Sequence, residues 1–75
     1  MNNHYKNVYE NFLYMCQIHM KAKHISQYAL ANMTGISSSA INRYFNRERT
    51  MTAINMLKIA DKLGVDINTL LMWEE

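Results

Sequence analysis

The chain has 75 residues, a formal net charge of +2, and is 49% hydrophobic and 19% charged, which makes one small globular domain, 1–75, with no room for a second. Two glycines and no proline disfavour an all-β fold, and the single cysteine, Cys16, excludes an intramolecular disulfide and any multi-cysteine zinc site. The longest apolar run, Phe12 to Cys16, is far short of a membrane span, and the N-terminus lacks the apolar stretch of a signal peptide. A soluble protein in the reducing cytoplasm, nucleoid-associated if it binds DNA, is the expectation.

Five helices are predicted in chain order. The first runs from about Asn7 to Lys21, with Val8, Phe12, Cys16 and His19 on one face at helical spacing. Leu13, Ile18 and Met20 lie off that stripe, and Tyr5, Tyr9 and Tyr14 add to the apolar excess. The aromatic start, residues 1–11, is therefore expected to be an arm that either folds back on the domain or meets a partner. Ser26 caps a second helix, Gln27 to Met33, whose Ala29, Leu30 and Met33 share a face; a serine there accepts an unpaired N–H of the first turn. Gly35 supplies the positive φ at its end. Ser37 then caps a third helix, Ser38 to about Phe45.

A fourth helix begins at Thr52 and ends at Leu63, with Ile54, Leu57, Ala60 and Leu63 recurring every three residues and Gly64 as terminator. Asp66 caps a fifth, Ile67 to about Trp73, with Thr69 three residues on in a weak capping box. The fold class expected is all-α, a compact five-helix domain with a helix-turn-helix over about 26–46.

The basic residues between Lys21 and Arg49 are Lys21, Lys23, Arg43, Arg47 and Arg49, against one acid, Glu48; the remainder of the chain is mildly acidic. A basic middle is what a polyanion-binding face gives, and also what scattered surface charge gives. The third helix is more informative. At about 100° per residue, Ala40, Ile41 and Tyr44 fall on one side and Ser38, Ser39, Asn42, Arg43 and Asn46 on the other. That second face holds only Ser, Asn and Arg. A carboxylate there would be repelled by phosphate, and an ordinary solvated helix would mix Glu with Lys.

With these features the chain resembles the Cro/phage-repressor (XRE) helix-turn-helix family. The resemblance rests on Ser26-Gln27, Leu30-Ala31, Gly35-Ile36-Ser37, INRYFNRER from Ile41 to Arg49, and LKIADKLGVDINTLL from Leu57 to Leu71. It covers about residues 12–72, in family order and spacing. It implies a five-helix DNA-binding domain whose third helix enters the major groove, acting as a homodimer on a near-palindromic double-stranded DNA operator, typically as a repressor. By the same resemblance Ser38, Ser39 and Arg43, with Asn42 beside them, reach base edges. Gln27 grips a phosphate, and Asn46, Arg47 and Arg49 form the loop that binds the DNA backbone.

This sequence departs from the family in several places. An acid is usual near Ala29, a Gly where Arg47 stands and another near His24, and an aliphatic residue where Cys16 and His19 stand. Either Asn46 supplies the positive φ after the third helix, or that helix ends differently. The first helix is free to be rotated or shifted by a residue relative to the family. A basic N-terminal arm is absent.

On the residues alone, Arg43 suits guanine and Asn42 suits adenine, while Ser38 and Ser39 specify weakly. Lys21 and Lys23 join Arg47 and Arg49 as sources of salt-sensitive affinity. Cys16 and His19 share a face, but two ligands do not make a metal site. No catalytic constellation, cofactor or small-molecule site is expected, and the chain is not read as an enzyme. Leu71, Met72 and Trp73 form the candidate dimer interface, Trp73 either anchoring it or packing on the first helix of its own chain. The competing reading is a protein-binding module on the same scaffold, an antitoxin or anti-repressor, motivated by Tyr5, Tyr9, Tyr14, Met20 and Trp73.

Overall fold

The computed structural model describes residues 4–71. Five helices lie among them: α1 (His4–Ala22), α2 (Gln27–Thr34), α3 (Ser38–Phe45), α4 (Ala53–Leu63) and α5 (Ile67–Leu71). Met72 and Trp73 lie outside the described residues. Among those described there is no strand, and no helix is long and apolar enough to cross a membrane.

Capping sets most of these boundaries. Ser26, Ser37 and Thr52 stand in extended conformation before their helices, and each side-chain oxygen accepts an N–H of the first turn, from Ala29, Ala40 and Asn55 at 3.0, 3.1 and 3.1 Å. Each such bond is worth about 1 kcal/mol. Thr52 is thus the cap of the fourth helix and not its first residue. Asp66 Oδ1 accepts from the Asn68 N–H at 2.8 Å, opening α5.

Gly35 and Gly64 end α2 and α4 in left-handed conformation, at φ 77° and 70°. Between α2 and α3 the Thr34 hydroxyl donates to the Leu30 carbonyl and accepts from Ile36 N–H, so one side chain fixes the turn.

Two features of α1 differ from the sequence reading. Residues 4–11 are not a separate arm; they are the first half of one continuous helix. The buried residues of α1 are Phe12, Leu13, Cys16 and Met20, while Val8 and His19 are only half-buried. The inward face is therefore turned towards Leu13 and Met20, because α1 packs against both α5 and α4 and needs a wider apolar face than one stripe.

On α4 the correction is larger. Its inward residues are Met56, Ile59, Ala60 and Leu63, whereas Ile54 and Leu57 are 63% and 52% exposed. A strict spacing of three drifts by about 60° per step, so four such positions span half the helix and cannot all face the core. On α2, Leu30 and Ala31 are buried and Met33 is exposed, so the face is shifted there as well.

Phe12, Leu13, Leu30, Ile41, Ile59, Leu63 and Leu70 form the fully buried centre, with Tyr44, Phe45 and Met51 around it. Cys16 is buried among them, and burial pushes its thiol up to about 12, which suits a packed side chain rather than a nucleophile or ligand. Leu71 packs against this core and is half-buried.

Candidate nucleic-acid interface

Helix α3 is held by its apolar side. Ile41, Tyr44 and Phe45 are buried, and the one polar group they carry inward, the Tyr44 hydroxyl, accepts from Asn55 Nδ2 at 2.9 Å. That bond ties α3 to the first turn of α4. From the other direction, the hydroxyl of Tyr9 on α1 accepts the Met51 N–H at 2.9 Å. Burial raises the Tyr9 pKa and so favours the neutral phenol. The loop after α3 is therefore fixed to α1 as well as to α4.

The opposite side of α3 is exposed throughout: Ser38, Ser39, Asn42, Arg43 and Asn46 all lie at the surface. Three amides run along it. Asn46 Nδ2 donates to Asn42 Oδ1 at 3.1 Å, and Asn42 Nδ2 donates to Gln27 Oε1 at 3.3 Å. This chain couples the start of α2 to the end of α3. It engages the oxygen of Gln27 and leaves the amide nitrogen to donate to an oxyanion. Asn42 keeps one hydrogen and one lone pair for a further partner. Arg43 makes no hydrogen bond or ion pair through its side chain with any described residue, so its planar fork is presented to solvent.

The end of α3 resolves the alternative left open by the sequence. Asn46 has φ −86°, and the left-handed residue is Arg47, at φ 61°. Glu48 N–H donates to the Arg43 carbonyl at 2.9 Å and Arg47 N–H to the Tyr44 carbonyl at 3.2 Å, the paired bonds of a Schellman ending. The same pattern closes α1 around His24, at φ 57°, and α4 around Gly64.

The side chain of Arg47 is anchored rather than loose. Its Nε and Nη2 donate to Glu10 Oε2 at 3.1 and 2.9 Å, and Nη1 donates to the Phe45 carbonyl. The pair is part-exposed, with side chains 43% and 38% accessible, so its net contribution is at most about 1 kcal/mol.

Other basic residues divide. Arg49 is exposed in the loop beside Arg47, and Lys21 is exposed on α1. Lys23, expected among the salt-sensitive contacts, donates instead to the carbonyl of Leu63 at the C-terminus of α4. A cation there meets the negative end of the helix dipole, so Lys23 acts in holding α1 to α4. Sequence reasoning missed Glu10, because its partner is 37 residues away and no local pattern announces the pair. The apolar surplus behind the protein-binding reading also shrinks, since Met20 is buried and Tyr9 half-buried. Tyr5 and Tyr14 remain exposed.

A family model described as helix-turn-helix matches residues 19–70. No curated protein and no solved structure matches the chain significantly. The matched segment takes in the end of α1, the two helices joined at Gly35, the loop that follows them, and α4 with most of α5. The chain belongs to the helix-turn-helix family of the Cro/phage-repressor (XRE) type, a family of DNA-binding, non-enzymatic domains.

Proposed function

We propose that the chain is a sequence-specific regulator that occupies a near-palindromic operator as a homodimer and represses transcription there. The observation that carries this reading is the exposed, acid-free face of α3, linked by the Asn42 amide to the start of α2. In the complex, Ser38, Ser39, Asn42 and Arg43 face base edges. Gln27, Asn46 and Arg49 meet backbone phosphates, and Arg47 does so with the donors that Glu10 and Phe45 leave over. The short Ser38 and Ser39 let the helix approach closely, and Arg43 supplies the discriminating contact.

One recognition helix reads few base pairs, so a two-fold pair of domains is needed, with half-sites about 34–36 Å apart. Leu71, Met72 and Trp73 are the candidate interface; Leu71 is half-buried, so its own core takes part of its surface. Selection of bound sequences from a random duplex pool tests the reading. It should enrich an inverted repeat, whereas a pool left unenriched would refute it. Sedimentation of the complex should give two chains per operator, and one chain at saturation would remove the homodimer.

A further inference from the structure

The first half of α1 and the loop after α3 enclose an open cleft of about 440 Å³, lined by Lys6, Tyr9, Glu10, Arg47, Arg49 and Thr50. Three of these side chains are cationic and one is acidic. The acid is already engaged, because Glu10 accepts two hydrogen bonds from Arg47. Lys6 lies one turn before Glu10 on the same face of α1, and neither Lys6 nor Arg49 forms an ion pair among the described residues. Of the five guanidinium hydrogens of Arg47, three are used, by Glu10 and the Phe45 carbonyl, and two remain. Thr50 and Tyr9 add hydroxyl donors, the latter accepting from Met51 while its own hydrogen remains to donate.

We propose that this cleft binds a phosphodiester group of DNA, outside the base pairs that face α3. Its donors are ammonium, guanidinium and hydroxyl groups, the set that grips phosphate oxygens and carries no base code. The cleft is open, as a passing polymer strand requires. It also begins at Arg47, one residue after Asn46 ends the amide chain on α3, so it continues the face already assigned to the backbone. Lys6 thereby adds a contact that the departure from the family's basic arm had seemed to remove. The inference rests on the DNA-binding reading above.

The test uses the full chain and Lys6→Gln, which alters an exposed side chain; thermal unfolding checks that both are equally folded. Each is titrated with the selected operator duplex, with and without extra flanking base pairs, over a range of salt concentrations. Lys6→Gln should bind every sequence more weakly with its base preference unchanged. Its plot of log affinity against log salt should be flatter by about one, and its loss between 50 and 200 mM salt smaller by roughly threefold. It should also lose the gain that flanking pairs give the wild type. A variant with wild-type slope and wild-type flank dependence would overturn the cleft while leaving DNA binding by α3 intact. Failure of the wild type to bind any duplex would instead sink the DNA-binding reading. Inorganic phosphate is the second probe. Saturable amide shifts at Arg49 and Thr50 that Lys6→Gln abolishes would support the site, and equal shifts in both proteins would overturn it. Such shifts without binding to any duplex would overturn the assignment to DNA and leave a free-anion site.

Discussion

Arg47 joins a backbone conformation suited to glycine to a side chain that glycine lacks, and two substitutions separate the two. Arg47→Ala removes the ion pair to Glu10 and the bond to the Phe45 carbonyl but keeps a Cβ at φ 61°. The pair contributes about 0–1 kcal/mol at this exposure and the hydrogen bond about 0.5–1.5 kcal/mol. The alanine variant should therefore be less stable by about 1–2 kcal/mol. Arg47→Gly loses the same contacts but releases the left-handed penalty, about 1–2 kcal/mol, against an unfolded-state entropy cost of about 0.5–1 kcal/mol. It should be more stable than the alanine variant by about 0.5–1 kcal/mol, or about 2–8 °C in Tm for a domain of this size. Thermal unfolding by circular dichroism compares the three proteins. Both variants should bind operator more weakly at all sequences, with salt slopes flatter by about one. A glycine variant no more stable than the alanine variant would show that the backbone strain at position 47 does not exceed the entropy cost of glycine. A glycine variant with undiminished salt slope would show that the Arg47 side chain serves only Glu10.

Arg43→Ala should lose about 1–3 kcal/mol of discrimination at one base pair; weaker binding with unchanged preference would place Arg43 on phosphate instead. Tyr9→Phe leaves the Met51 N–H without its acceptor and should cost about 1–3 kcal/mol, read as a lower melting temperature; an unchanged melt would mean that water replaces the hydroxyl without loss. Cys16 has its folded pKa raised from 9.0 to about 12, so the neutral thiol is favoured in the folded state. Its contribution is whole below pH 9 and falls away as pH rises towards 12. Wild-type stability should then decline more steeply over that range than that of Cys16→Ala, and parallel declines would contradict the assignment.

The helices joined at Gly35 were legible because each boundary has a local chemical mark. Ser26, Ser37 and Thr52 cap, Gly35 and Gly64 terminate, and the sides of α3 divide at helical period. What failed was the choice among apolar positions that only packing decides. The run of Ile54, Leu57, Ala60 and Leu63 gives no sign that Ile59 and Met56 take the inner places until α4 lies on α1, α2 and α5. In α1 the aromatic residues read as an arm, because Tyr9 meets its partner, Met51, only across 42 residues. The candidate site shows the same division. The exposed members of α3 follow from periodicity, while the amide chain from Gln27 through Asn42 to Asn46 and the Glu10–Arg47 pair need the folded geometry.

Among the described residues, the two left-handed ones other than glycine, His24 and Arg47, close α1, which precedes the helix-turn-helix, and α3, its second helix. The family commonly has glycine where Arg47 stands and near His24, and each of these residues carries a conformational cost of about 1–2 kcal/mol that glycine would not. The endings differ in what offsets that cost. After α1, the Ile25 N–H reaches back to the Met20 carbonyl at 2.8 Å, and Ile25 packs against the core, so the turn is held by apolar burial whatever stands at position 24. Nothing in the structure explains why that residue is histidine. After α3 the corresponding residue is Glu48, which is exposed and brings no such burial. Here the anchor is the side chain of the left-handed residue itself: Arg47 ties the turn to α1 through Glu10 and to its own helix through Phe45. Glycine at 47 would relax the backbone and remove one of the two links that join the loop after α3 to α1, leaving the bond from Met51 to Tyr9.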